Sequence, residues 1–149
     1  MTRLAVVVVA LSVLLARESR AEWTAGGGSE VPLDGNGSSW FVRATLNGNV
    51  TGTFLVDTGA TLCVVGPSTA RRLGVAPTGE QIELHTANGV VHAPVIRLRT
   101  VDLGGNRARD VSAVVHDSVP PPIDGIIGLS YLNNFTYSVD PRRRVLRLH

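Results

Sequence analysis

After residue 30 the chain consists of short apolar runs separated by turns rich in glycine and asparagine. The runs are rich in Val, Ile, Leu, Phe and Thr, and several alternate with polar residues, as half-buried β-strands do. Asn47-Gly48, Asn88-Gly89 and Gly104-Gly105 separate consecutive runs, and such pairs favour tight β-hairpins. The pattern therefore predicts an all-β domain that closes into a barrel or a sandwich.

The predicted elements are short and evenly spread along one domain. The predicted strands cover residues 40–46, 50–56, 62–65, 81–87, 90–94, 95–103, 108–116, 135–139 and 145–148. One short helix is predicted over residues 69–73, where Gly66-Pro67-Ser68 opens it and Gly74 ends it. A turn or helix is predicted around residues 130–134, and no internal repeat indicates a second domain.

Residues 1–21 have the pattern of a cleaved secretory signal peptide. Arg3 precedes an apolar run at residues 4–16, and Ser19-Arg20-Ala21 places small residues where a signal peptidase reads them. The run is shorter than a membrane-spanning helix requires. We therefore expect cleavage after Ala21, export to a secreted or periplasmic location, and no membrane span in the mature chain. An uncleaved N-terminal anchor is the alternative.

Charge and cysteine content indicate which partners and bound groups are not expected for the mature chain. Residues 22–29 form a glycine-rich flexible leader, and residues 30–149 form the predicted domain. The signal holds three arginines and one glutamate of the 14 basic and 12 acidic residues, so acids and bases balance after cleavage. A nucleic-acid partner is therefore not expected. Cys63 is the only cysteine and the four histidines are scattered, so we expect no disulfide, no metal site and no cofactor.

The junction at residues 53–61 is the most informative segment of the chain. Phe54, Leu55 and Val56 predict a buried strand that stops at Asp57, and Gly59 permits a tight turn after it. An acid that leaves an apolar strand is partly removed from water, a condition that suits acid–base chemistry. The alternative is a simple turn in which Asp57 hydrogen-bonds its own backbone.

Asp57-Thr58-Gly59-Ala60 resembles the catalytic loop of the aspartic proteases, and in so short a chain it resembles the retropepsin-like branch. Two later segments match the family in the right order: residues 124–129 resemble the strand that crosses under the catalytic loop, and residues 137–148 resemble the terminal hairpin. The resemblance covers about residues 30–149 and implies a closed retropepsin-like acid-protease barrel with one short helix.

The resemblance also implies a role for each matching residue. Asp57 would be the catalytic carboxylate, and Thr58 would hydrogen-bond across the active site to hold two loops in register. Gly59 and Ala60 would let a peptide backbone approach closely. A flap over the substrate, for which an ordinary exposed hairpin is the alternative, would comprise His85, Thr86, Ala87, Asn88 and Gly89. The structural crossing strand would comprise Asp124, Gly125, Ile126, Ile127 and Gly128.

The implied mechanism needs two carboxylates that share one proton, because like charges in contact cannot both ionise cheaply. The chain carries Asp-Thr-Gly once, and Asp124 lacks the Thr-Gly sequel, so we interpret Asp124 as a turn residue. The second acid would then be Asp57 of an identical subunit in a two-fold homodimer, acting on a peptide or protein substrate. The alternatives are a barrel that binds a peptide without cleaving it and a purely structural exported β-domain.

Overall fold

The computed structural model describes residues 7–8, 28–117 and 120–149. Except for these few positions, the predicted signal peptide and the predicted leader lie outside the described residues. The strands are β1 (Val7–Val8), β2 (Ser29–Pro32), β3 (Asp34–Gly35), β4 (Trp40–Leu46), β5 (Val50–Val56), β6 (Cys63–Val65), β7 (Gln81–Thr86), β8 (Gly89–Leu103), β9 (Asn106–Val115), β10 (Gly125–Ile127), β11 (Tyr137–Asp140) and β12 (Val145–Leu148). The helices are α1 (Pro67–Leu73) and α2 (Leu129–Leu132).

Six strands close into a barrel, which confirms the predicted all-β class. The strands follow one another in the order β8, β9, β6, β10, β5 and β4. The ring closes where β4 pairs with β8 through Thr45 opposite Asp102 and Leu46 opposite Val101. Beyond this ring, β7 extends the sheet from β8, β1 pairs with β7 in parallel, and β3 extends the sheet from β4.

Two predicted hairpin turns have the backbone that their sequences require. Asn47 and Gly48 have φ angles of 51° and 79°, and Gly104 and Gly105 have φ angles of 59° and 93°. Both residues of each pair thus occupy the positive-φ region that a type I′ turn needs, where glycine and asparagine are favoured. These turns fix the registers of β4 with β5 and of β8 with β9.

The third hairpin differs from its prediction by one residue. The turn falls on Ala87 and Asn88, and Thr86 pairs with Gly89, whose φ is 119°. The Thr86 hydroxyl accepts a hydrogen bond from the Asn88 N–H at 3.2 Å and donates one to the Gly89 carbonyl oxygen at 2.8 Å. This local bonding by a threonine side chain draws the turn toward Thr86, so β7 ends one residue earlier than predicted.

β8 is one 15-residue strand where the sequence pattern predicted two. Pro94 marked the predicted boundary because proline has no N–H to donate to a sheet. Pro94 is opposite Gln81, the first residue of β7, and from Val95 onward β8 pairs with β9 instead. The proline lies where the strand changes partners, a position that tolerates the missing donor.

Both helices are short, and neither matches its predicted bounds. α1 begins at Pro67, two residues earlier than predicted, because proline is well suited to the first turn of a helix. Gly74 ends it in the left-handed conformation with φ of 63°. α2 is the predicted turn or helix near residue 130, so the described residues contain two short helices where one was expected. No helix within the described ranges is long and apolar enough to cross a membrane.

The buried side chains form two clusters. The larger one fills the barrel and includes Phe54, Leu98 and Tyr131. The smaller one lies between the β7–β8 hairpin and the barrel wall and consists of Ala60, Val64, Ile82, Leu84, Ala93, Val95, Val114 and Ile126. The smaller cluster joins the base of this hairpin to the segment that follows Asp57.

A second sheet of β11, β12 and β2 brings the two ends of the domain together. Glu30 of β2 accepts hydrogen bonds from Arg143 and, at 3.1 Å, from Nε of Arg147. Arg143 and then Arg147 hold the pKa of the Glu30 carboxyl below its ordinary value of 4.5. The ion pairs thus add to the backbone ladder that attaches β2 to β12.

This pairing predicts a pH-dependent contribution to stability. Because the folded-state pKa of Glu30 is depressed, its contribution is present above the unfolded value and disappears as pH falls through the folded value. We expect Glu30→Gln to lower the thermal midpoint slightly at pH 7 and to leave it unchanged in strongly acidic buffer. Glu80→Gln is the control, since Glu80 forms no ion pair within the described residues. An equal loss for Glu30→Gln at both pH values would contradict this account.

Candidate active site

Asp57 lies where β5 leaves the barrel wall. β5 pairs in parallel with β10 up to Val56 opposite Ile127, and the Asp57 N–H then donates to the Ile127 carbonyl oxygen at 3.0 Å. Asp57 is partly exposed. The apolar strand and the crossing strand therefore fix the position of its main chain, while its side chain remains accessible to solvent.

The loop of residues 57–62, called the Asp57 loop below, orients the carboxylate. The Gly59 N–H donates to Oδ1 of Asp57 at 2.8 Å, and the Ala60 N–H donates to the Asp57 carbonyl oxygen at 3.3 Å. Within residues 28–117 and 120–149, the other carboxylate oxygen, Oδ2, has no hydrogen-bond partner. The turn thus holds one oxygen of Asp57 and leaves the second available for chemistry.

Thr58, Gly59 and Ala60 occupy different environments. Thr58 is partly exposed, Gly59 is exposed and Ala60 is fully buried. A Cβ on Gly59 would lie 3.2 Å from Oδ1 of Asp57, which is tighter than most van der Waals contacts. Gly59 therefore keeps the space beside the carboxylate open, and Ala60 anchors the loop in the smaller apolar cluster.

The predicted crossing strand passes between β5 and β6. β10 is buried throughout, and it pairs in parallel with β5 and antiparallel with β6. A Cβ on Gly125 would lie 2.0 Å from the Val64 carbonyl oxygen, and one on Gly128 would lie 2.5 Å from that of Leu62 and 2.6 Å from that of Ala60. Both positions thus need glycine because another backbone passes too close for a side chain.

The residues after β10 hold the outgoing half of the Asp57 loop. The Leu129 N–H donates to the Ala60 carbonyl oxygen at 2.8 Å, and the Ser130 N–H donates to that of Thr61 at 3.0 Å. The Ser130 hydroxyl accepts a hydrogen bond from the Cys63 N–H at 2.9 Å. Sequence reasoning assigned no role to Ser130, because a serine after a glycine-containing strand has no distinctive spacing.

Cys63 lies behind the loop in a buried position at the start of β6. Its sulfur accepts a hydrogen bond from the Gly128 N–H at 3.4 Å, and burial raises the pKa of its thiol. The thiol is therefore kept protonated and inaccessible, which argues against a role as a nucleophile.

Asp124 lies at the opposite end of β10 from the Asp57 contact. Its Oδ2 accepts from the Thr53 N–H at 2.9 Å, and its Oδ1 accepts from the Thr69 hydroxyl and from Arg72, each at 3.0 Å. Thr53 precedes Asp57 by four residues of β5, a span of about 13 Å in an extended strand. The Asp124 carboxylate thus joins β5 to α1 and does not approach Asp57 of the same chain.

The β7–β8 hairpin projects from the barrel with a solvent-exposed tip. Ala87, Asn88 and Gly89 are exposed, His85 and Thr86 are partly exposed, and the neighbouring Val90 is 52% exposed. The base of the hairpin packs on the cluster that contains Ala60. The base of the hairpin and the Asp57 loop therefore pack into the same buried apolar cluster.

The described part of the chain contains no group of three or more His, Cys, Asp or Glu side chains arranged to hold a metal ion. The candidate site consists of the Asp57 loop, the residues after β10 that hold it, and the hairpin whose base packs against it.

A family model for aspartyl proteases matches residues 42–131, which is more than half of the chain. The chain belongs to the aspartyl protease family. A crystal structure of a retropepsin-like aspartic protease from Rickettsia conorii has a similar fold, with a TM-score of 0.58, 24% sequence identity, and coverage of 82% of this chain and 89% of that chain. The family match confirms the predicted aspartyl protease family, and the structural match confirms the predicted retropepsin-like fold. No curated protein sequence matches the chain.

In this aspartyl protease family member, Gly128 is a position beside the Asp57 loop that has no room for a methyl group. Because a Cβ would meet two backbone oxygens at 2.5 and 2.6 Å, we expect Gly128→Ala to destabilise the fold. The loss should be about 3 kcal/mol or more, measured by denaturant unfolding. Gly59→Ala is the comparison, since its Cβ would meet only a side-chain oxygen at 3.2 Å, and it should cost much less. Equal losses in the two variants would contradict this steric explanation.

Proposed function

We propose that this protein is an aspartic endopeptidase whose active site is formed by the Asp57 side chains of two identical subunits. The observation that carries the proposal is the geometry of the Asp57 loop. A partly exposed carboxylate follows a buried strand, the Gly59 N–H holds one of its oxygens at 2.8 Å, and the turn leaves the other oxygen available. The family match supports protease chemistry at this position.

The positions of the acids support the proposal that a second subunit is needed. Water-activating aspartate chemistry requires two carboxylates that share a proton. The Asp124 carboxylate already accepts hydrogen bonds from Thr53, Thr69 and Arg72. The same chain thus offers Asp124 no route into a pair with Asp57, whereas a two-fold axis beside the Asp57 loop would supply an equivalent acid.

In this mechanism the two Asp57 carboxylates hold one proton between them. The ionised carboxylate accepts a proton from a water molecule as that water attacks the carbonyl carbon of the scissile peptide bond. The protonated carboxylate donates to the carbonyl oxygen, which would otherwise carry the developing negative charge. Collapse of the resulting diol intermediate transfers a proton to the leaving nitrogen and breaks the C–N bond.

The position of the β7–β8 hairpin is the argument for an extended peptide as the substrate. An exposed tip that carries a valine can cover a bound chain, while the hairpin base remains packed on the cluster that contains Ala60. Leu55, Leu62 and Val91 are partly buried against the same cluster. They supply an apolar surface against which substrate side chains could be desolvated on binding.

Asp57→Asn tests the proposed chemistry. We expect it to abolish cleavage of a peptide library across acidic and neutral pH, because an amide cannot take part in the shared proton. The fold should persist, since an amide oxygen can still accept the Gly59 N–H bond. Asp110→Asn is a matched control: Asp110 is exposed on β9, and asparagine tolerates its positive φ of 55°.

Two results would contradict the chemistry. Cleavage by Asp57→Asn at the wild-type rate would show that the activity does not come from this acid. Complete absence of cleavage by a wild-type protein that is dimeric would instead favour a barrel that binds peptides without hydrolysing them.

Mixing wild-type and Asp57→Asn chains tests whether the site is shared. Because a dimer with one asparagine lacks the dyad, random mixing in equal amounts should leave about one quarter of the activity of an all-wild-type sample at the same total concentration. The mixture must be unfolded and refolded together so that subunits exchange, and an equal mixture with Asp110→Asn is the control. Retention of about half of the activity would show that each subunit acts alone. Cleavage by a protein that sedimentation shows to be only monomeric would show the same.

A further inference from the structure

The Ser130 hydroxyl joins two neighbouring strands, β6 and β9, at the point where the Asp57 loop ends. Its oxygen accepts the hydrogen bond from the Cys63 N–H at 2.9 Å and donates to the Ser112 carbonyl oxygen at 2.8 Å. Cys63 begins β6, and Ser112 belongs to β9. A hydroxyl suits this position because it is both a donor and an acceptor, whereas a methyl group is neither.

The backbone around Ser130 reaches Asp57 through a short series of hydrogen bonds. Ser130 and Leu129 donate to the carbonyl oxygens of Thr61 and Ala60 at 3.0 and 2.8 Å. The Ala60 N–H in turn donates to the Asp57 carbonyl oxygen at 3.3 Å, and the neighbouring Gly59 N–H donates to the Asp57 carboxylate. Displacement of Ser130 would therefore shift the Gly59 and Ala60 amides, which donate to Asp57.

The two halves of the Asp57 loop are fixed in different ways. The incoming half continues the ladder between β5 and β10, which ends at the bond from Asp57 to Ile127. The outgoing half turns away from that ladder before β6 begins at Cys63. Cys63 is 2% exposed, so loss of the Ser130 oxygen would leave its N–H buried without this partner, which is costly.

We propose that Ser130 is a positioning residue, whose hydroxyl bridge from Cys63 to Ser112 fixes the outgoing half of the Asp57 loop and thereby the orientation of the Asp57 carboxylate. The catalytic consequence rests on the proposed protease function. The structural consequence concerns the loop alone and can be measured in a protein that cleaves nothing.

Tyr131 provides a matched control on the same turn of helix. Its hydroxyl donates to the Asn106 carbonyl oxygen at 2.7 Å, and the residue is fully buried. Tyr131→Phe thus also removes a hydroxyl that donates to a backbone carbonyl, from the adjacent residue. Its partner belongs to β9 directly after the β8–β9 turn, away from the residues that hold the Asp57 loop.

The test compares Ser130→Ala and Ser130→Cys with Tyr131→Phe by amide hydrogen exchange of Gly59 and Ala60, measured by NMR. We expect Ser130→Ala to speed exchange at both amides about tenfold relative to core amides of β9, and Ser130→Cys to give a smaller increase because a thiol bonds weakly. Ser130→Cys also preserves the test if the alanine variant does not fold. Tyr131→Phe should leave both amides unchanged relative to the same core amides.

Catalysis gives the second readout. We expect Ser130→Ala to lower kcat about tenfold with KM changed less than about threefold, because the carboxylate is misoriented while the substrate surfaces persist. Equal exchange at Gly59 and Ala60 in the serine and tyrosine variants would overturn the positioning role, whatever the activity. If the wild-type protein cleaves no peptide but Ser130→Ala still speeds exchange at Gly59 and Ala60, the positioning role would be upheld. Only the protease function would be overturned.

Discussion

The fold depends on β10, a three-residue strand that is buried along its whole length between β5 and β6. Its pairing with β5 carries the main chain to the Asp57 N–H, and the residues after it bind the outgoing half of the Asp57 loop. Such close contact is possible because Gly125 and Gly128 present no side chain to the neighbouring carbonyl oxygens. The main-chain position of the acid is therefore set by backbone contacts.

The sequence predicted the parts of the fold that depend on local chemistry. Trp40–Leu46 and Val50–Val56 have the predicted bounds because an Asn-Gly pair between two β-favouring runs leaves few other conformations. Gly104-Gly105 acts in the same way for β8 and β9. The Asp57 loop was also recognisable, since an apolar strand that ends in Asp-Thr-Gly is a local pattern. The structure gives these elements the backbone angles and pairings that their residues favour.

The remaining features depend on contacts between residues far apart in the sequence. The Thr53 amide, the Thr69 hydroxyl and Arg72 surround the Asp124 carboxylate, and no spacing in the sequence connects these residues to Asp124. The bridge from Ser130 to Cys63 and Ser112 is equally non-local. Pro94 misled the strand prediction for the same reason, because the change of partner that makes a proline acceptable there becomes visible only in the folded sheet.

The continuity of β8 has a mechanical consequence for the hairpin above the Asp57 loop. One unbroken strand of 15 residues, about 50 Å long when extended, forms both the barrel wall and one arm of the hairpin. The β8 arm of the hairpin is therefore continuous with the barrel wall near Pro94. No loop interrupts this arm, so it has no hinge there. Any movement of the hairpin tip would require the sheet to bend or twist, so the stiffness of the hairpin depends on the whole barrel.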